Sequence, residues 1–191
     1  MRRGVRVAVD VGSVRVGLAA CDPSGVIASP VRTLARDPAT DADVAQVAAE
    51  VRERAAVEVV VGLPLSMDGT EGPAALTALA HARKIALAVE PVPVRLVDER
   101  LSTVDAHRAL HAAGRREKQF RDVVDQAAAV VLLQAALDAE RSSGRAPGRV
   151  LPAGGAPGPA KRRKARHGRT ARPAGADAVH DPDERPDATE G

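Results

Sequence analysis

From Val5 to Gly17 the chain reads VRVAVDVGSVRVG, with β-branched residues alternating with small or polar ones until Gly12-Ser13, after which RVGLAAC resumes the pattern. Period two is the repeat of a half-buried strand, and a Gly-Ser break between two such runs predicts a hairpin. Val26 to Ala35, VIASPVRTLA, is a third β-rich run set off by the turn Asp22-Pro-Ser-Gly25. Its Pro30 has no N–H for a ladder, which predicts an edge strand or a bulge. At Thr40 the period changes: Val44, Val47 and Val51 recur at i, i+3 and i+7, predicting an amphipathic helix capped by Thr40 or Asp41. VEVVVG (Val57 to Gly62) is a short strand of the buried type, and its glycine opens the loop LPLSMDGTEG. Pro73 suits the first turn of a second helix, whose stripe of Leu76, Leu79, Ala80 and Ala86 reaches about Val89. Val94 to Asp98, VRLVD, is a fifth strand. Ser102 with Asp105 resembles a capping box and predicts a helix to Ala113. A polar connector holding Arg115, Arg116, Lys118 and Arg121 leads to a last helix, Val123 to Ala139, rich enough in Ala, Val and Leu to be largely buried.

The order β-β-β-α-β-α-β-α-α predicts an α/β domain: a mixed five-stranded sheet with helices on its faces, spanning residues 1–141. Composition narrows how such a sheet is packed and what it binds. With one Phe, Phe120, and no Trp or Tyr, the core must rest on Val, Leu, Ile and Ala, and base stacking on aromatic platforms is nearly excluded. The single Cys21 forms no intramolecular disulfide and reads as a small buried apolar residue in a reducing compartment. No apolar h-region follows Met1-Arg2-Arg3, and no run approaches the roughly 18 apolar residues of a membrane span. A soluble, cytoplasmic protein with no membrane partner is expected.

Charge is divided unevenly along the chain. Residues 1–141 hold 18 Lys+Arg against 19 Asp+Glu, whereas residues 142–191 hold 10 against 6. The basic pI of about 9.6 therefore belongs to the tail and not to the domain. That tail is Gly/Pro-rich and poor in large aliphatics, and it carries KRRKARHGR at Lys161 to Arg169. It is expected to be disordered. Its basic cluster suits salt-sensitive contact with phosphates, or simple solvation.

Three acids stand among apolar neighbours. Asp10 ends the first strand, Glu99 follows the fifth in RLVDERLST, and Asp125 lies on the last helix in DVVDQAAAVVLLQ, on the face of Ala128, Ala129 and Leu132. Buried acids cost several kcal/mol unless paired or metal-bound. Strand ends of one sheet and a helix across it can gather such acids, and carboxylate oxygens are the ligands that Mg²⁺ or Mn²⁺ takes. Each acid also has a structural explanation: Asp10 bonding the Gly12-Ser13 backbone, Glu99 pairing with Arg100 or Arg95, Asp125 favouring its helix N-terminus. Three together make a shared site the better reading. His107 and His111 have metal-pair spacing without the intervening Glu of a zinc-protease helix, and read as a solvated face.

VAVDVGSVRVGLA, VVVGLPLSMDGTEGP, VDERLSTVDA and VVDQAAAVVLLQ, in this order over residues 5–138, resemble the YqgF (RuvX-like) family. Its members are described as Holliday-junction-resolvase-like and as pre-16S rRNA nucleases with an RNase H-like fold. The resemblance implies that Asp10, Glu99 and Asp125 are catalytic, metal-binding acids and that the GLPLSMDGTEG loop lies near substrate. Ser66 stands where family members often have Asn. The tail after about Ser142 finds no counterpart in the family core.

The expectation is thus a metal-dependent nuclease, most plainly one that processes the 5′ end of pre-16S rRNA, with a Holliday junction resolvase as the alternative. Arg15, Ser66, Arg100, Arg115 and Arg116 would position the nucleic-acid backbone without reading bases. A monomer or a homodimer fits; a resolvase should present paired sites in a symmetric dimer. Two other classes remain open. DVGSVRVG also suits the phosphate-binding hairpin of actin-like and sugar-kinase ATPases, though a folded part of about 140 residues lacks their second domain. A non-catalytic nucleic-acid-binding module would keep the acids as structural features.

Overall fold

The chain's computed structural model describes residues 2–101 and 121–152, with the side chains of 121–126 excepted. The elements are β1 (Arg6–Val11), β2 (Arg15–Cys21), β3 (Ala28–Ala35), α1 (Ala42–Glu53), β4 (Glu58–Leu63), α2 (Pro73–Ala88), β5 (Val94–Asp98), α3 (Arg121–Ser143) and β6 (Arg149–Val150). One 3₁₀ turn, Glu99–Leu101, follows β5 directly. The helix expected from Ser102 to Ala113, the connector to Lys118 and the tail from residue 153 lie outside the described residues.

The strands form one sheet in the order β3-β2-β1-β4-β5-β6. β1, β2 and β3 are antiparallel neighbours, whereas β1, β4 and β5 are parallel. This is the RNase H-like arrangement that the resemblance implies. β3 is an edge strand, and its register slips between Leu18 and Ala19 beside Pro30, the bulge that a donor-less residue predicts.

Two points depart from the sequence reading. Among the described residues the sheet has six strands and not five, because Arg149–Val150 pairs antiparallel with β5 and Leu151 is buried in the core. A two-residue strand has no periodicity to read. It forms because Gly148, at φ 75°, brings its backbone where a Cβ would stand 1.9 Å from the Leu96 carbonyl oxygen. The second concerns the α1 cap: Asp41 is the N-cap residue but makes no side-chain cap bond, and instead accepts from Lys84 Nζ of α2 at 2.5 Å.

Val7, Val9, Val16, Leu18, Val59, Val61 and Leu96 face α1 and α2. Among the described residues the opposite face meets α3, through Ala8, Ala19, Val60 and Val97 against Ala129, Leu132, Leu133, Ala136 and Leu137. Helices therefore cover both faces, as expected. Alanines on sheet and helix let α3 approach closely, which explains a core without aromatics.

Strand alternation sets alternate residues of β1, β4 and β5 on the α3 face, with Arg95 opposite Val60 and Val97 opposite Gly62. β1 contributes Arg6, Ala8 and Asp10, β4 contributes Glu58, Val60 and Gly62, and β5 contributes Arg95, Val97 and Glu99. A buried ion network joins the amino-end residues of this face. Glu58 accepts from Arg2 Nη2 at 2.8 Å and from Arg95 Nε at 2.8 Å, with Arg6 Nε 3.9 Å away, while Glu140 of α3 accepts from Arg2 and lies 3.5 Å from Arg6. Removing one partner of a buried pair strands the other charge, so Glu58→Ala should cost on the order of 3 kcal/mol in urea unfolding. A loss under about 0.5 kcal/mol would show that Glu140 alone suffices to hold Arg6.

Candidate active site

Asp10, Gly62 and Glu99 stand towards the carboxyl ends of three neighbouring parallel strands, where ligands of open α/β sheets gather. Asp10 is the fifth residue of β1 and lies opposite Gly17 of β2. Glu99 is the first residue beyond β5. Between them runs β4, and Gly62 is the position where Glu99 passes over the sheet. A Cβ built there would meet Glu99 Oε1 at 2.5 Å and Leu132 Cδ2 at 3.2 Å. Glycine is thus required by a close approach: its missing side chain is the space that the Glu99 carboxylate occupies.

Burial and neighbouring charges both act on Glu99. Burial raises its pKa to about 7, and the charges of Asp10 and then Asp98 push in the same direction. Asp98, next in sequence, behaves oppositely. Its hydrogen bonds from Arg100 hold it below the usual carboxylate range, with Nη2 to Oδ2 at 2.6 Å. Of the two adjacent acids, therefore, one is neutralised by an arginine, and the other shares its surroundings with Asp10.

Asp125 lies on α3, but its side chain is outside those described. The backbone places it at the right end of the helix. Glu140 meets Arg6 at the amino end of β1, and Leu132 meets Gly62 near the carboxyl end of β4, so α3 runs antiparallel to both strands. Position 125 is seven residues before Leu132, which at 1.5 Å per residue is roughly 10 Å further towards the rim of Asp10 and Glu99. Among the described residues no three His, Cys, Asp or Glu side chains form a metal-binding group.

The basic and loop residues divide. Arg15 opens β2 with the strand parity of Gly17 and Ala19, and so stands on Asp10's face; its carbonyl accepts from Gly12 N–H at 2.9 Å and closes the hairpin turn. Arg100 is held within the protein: besides Asp98, its Nη1 donates to the carbonyls of Ser66 and Met67 at 3.3 and 3.2 Å. That guanidinium clasps the Pro64–Gly72 loop to the end of β5. Ser66 is exposed at the head of a turn in that loop, its carbonyl accepting from Gly69 N–H at 2.8 Å. Arg115 and Arg116 lie outside the described residues. Sequence reasoning missed Gly62 as a site residue, although a glycine closing an otherwise β-branched strand is the signal for such an approach.

A family model described as RuvX, Holliday junction resolvase, matches residues 4–139. The chain belongs to the RuvX family. Among curated relatives, a protein of Kineococcus radiotolerans named "Putative pre-16S rRNA nuclease" is 75% identical over 87% of this chain and 86% of its own length. One of Streptomyces avermitilis with the same name is 53% identical over 78% of this chain and 94% of its own. A solved structure of T. thermophilus RuvC in complex with Holliday junction substrate is similar at a TM-score of 0.49 and 12% identity, over 76% of this chain and 99% of that one. No helix among the described residues is long and apolar enough to cross a membrane.

Proposed function

We propose that this RuvX-family chain is a divalent-metal-dependent nuclease that processes the 5′ end of pre-16S rRNA in the cytoplasm. The observation that carries the reading is the placement of Glu99 over Gly62 beside Asp10, an acid pair that resists ionising together. The names of the relatives supply the substrate.

The donor set fits a hard cation. Carboxylates are the oxygen ligands of Mg²⁺ and Mn²⁺, and a cation between Asp10 and Glu99 relieves the repulsion that raises Glu99. Asp10, Glu99 and Asp125 would hold it, Asp125 reaching over from α3. A bound cation supplies Lewis acidity, offsetting charge that develops on the phosphate and easing deprotonation of the attacking water. The chain itself does the rest. β1 and β5 fix the two strand-end carboxylates, Gly62 leaves room for one of them, and α3 closes the apolar side against water. Arg15, on Asp10's face, and Arg115 and Arg116 supply phosphate contacts, and Ser66 faces the substrate from the loop that Arg100 holds.

The test compares wild type with Asp10→Asn on a 5′-extended ribosomal RNA precursor and on a four-way DNA junction, with and without Mn²⁺. Wild type should trim the precursor only with metal, and Asp10→Asn should not, while its far-ultraviolet circular dichroism stays that of wild type. Preferential cutting of the junction would move the assignment to DNA recombination. Cleavage by Asp10→Asn at the wild-type rate would remove Asp10 from the mechanism.

A further inference from the structure

Arg36, the residue after β3, holds both ends of the turn that follows Asp10. Its N–H donates to the Val14 carbonyl at 2.8 Å, and its Nη1 donates to the Gly12 carbonyl at 3.2 Å. Its Nε is buried and makes no hydrogen bond among the described residues. Nearby, α1 and α2 meet through an uncommon contact. Asp43, in the first turn of α1, and His81 of α2 have side chains 1% and 4% exposed, with Nε2 3.4 Å from Oδ2. Neither Asp43 oxygen nor His81 Nε2 makes a hydrogen bond among the described residues. The charges that act on His81 are those of Asp43, Arg36, Lys84 and Asp41. The α1 dipole favours a carboxylate at this position. Even so, a buried and unsatisfied acid is a costly way to join two helices, and apolar residues of similar volume often serve stability as well or better. Arg36 is one of the charges acting on His81 and also bonds the turn beyond Asp10.

We propose that Arg36 is a positioning residue for the acid pair: a half-buried guanidinium, set among the charges around Asp43 and His81, that grips the Gly12 carbonyl and so fixes the end of β1 on which Asp10 stands. The inference rests on the reading of Asp10 as catalytic. Asp10 lies two residues before Gly12, so freedom in the turn becomes freedom in the distance from Asp10 to Glu99. Displacements near 1 Å lower rates by about 100-fold.

The experiment pairs steady-state cleavage with amide hydrogen exchange in Arg36→Met and Arg36→Lys. For Arg36→Met, kcat should fall by roughly 10- to 100-fold with KM within about two-fold of wild type, as a residue that acts through the placement of Asp10 requires. Exchange of the Gly12 amide should quicken while the amides of α1 and α2 keep their protection. Arg36→Lys, which retains a charged donor but not the guanidinium Nη1 that bonds the Gly12 carbonyl, should recover part of kcat; it also carries the test where Arg36→Met does not fold. Wild-type kcat together with wild-type exchange at Gly12 would overturn the proposal. So would a kcat loss matched by lost protection throughout α1 and α2. If wild type cleaves neither substrate, the nuclease reading fails on its own, and exchange at Gly12 still decides whether Arg36 braces the turn.

Discussion

Glu99→Gln should abolish metal-dependent cleavage and at the same time stabilise the metal-free protein. The two effects have one cause. Burial and the neighbouring charges of Asp10 and Asp98 raise Glu99 to about 7 from an ordinary 4.5. Between those values the folded protein holds a proton that the unfolded chain releases. Stability therefore falls as pH rises from about 4.5 through about 7, and the whole penalty is present above that. A neutral amide removes the penalty. At pH 8 without metal, the variant should be more stable by on the order of 1–2 kcal/mol, a figure that allows for partial solvent access. At pH 4, where Glu99 is protonated in both states, the difference should vanish. With metal the sign reverses, because the glutamine lacks the charge that binds the cation, and cleavage should drop by roughly three orders of magnitude. Mn²⁺ affinity of wild type should rise with pH up to about 7 and then level off, as the proton on Glu99 stops competing. Urea titrations at pH 4 and pH 8 and isothermal titration with Mn²⁺ measure all of this. A variant less stable than wild type at pH 8 without metal would show that the ionised Glu99 carboxylate stabilises the fold on balance.

Gly62→Ala is expected to damage the site far more than the fold. The added Cβ would lie 2.5 Å from Glu99 Oε1 and 3.2 Å from Leu132 Cδ2. The nearer atom is the far end of a flexible carboxylate side chain, so Glu99 swings away while β4 keeps its pairing with β1 and β5. Crowding of this kind costs about 1–3 kcal/mol. Moving a metal-holding carboxylate by an ångström lowers kcat by about 10- to 100-fold. Glu99→Asp in the Gly62→Ala background shortens the side chain by one methylene and should restore part of the lost rate. If Gly62→Ala cleaves as wild type does, the carboxylate does not act from its place over β4.

Much of this site was legible in the sequence. Asp10 and Glu99 stood out because each is a charge at the end of an apolar run, and the acids and the family motifs pointed to the same positions. Pro30, Pro73 and the run VRLVD were read correctly as a bulged edge, a helix start and a strand, since each follows from local backbone chemistry. Other side chains have a second use that no local pattern announces. Asp41 is the N-cap residue of α1 but its carboxylate bonds Lys84, and Arg100 donates to Asp98 and two loop carbonyls.

The sequence by itself determined the periods, and with them which residues form strands and helices, which face each strand buries and which acids sit where acids are expensive. Those are properties of neighbours within a few positions. Only the tertiary structure decided that Glu99 lies over Gly62, that α3 runs back along β1 from the acid rim to Arg6 and Glu58, and that a sixth strand closes beside β5. Gly62 precedes Glu99 by 37 residues, and Arg6 precedes Glu140 by 134. Burial, crowding and charge repulsion act through space, so a contact across such intervals leaves no period to read. What Asp10 and Glu99 do to one another exists only once the parallel strands set them side by side.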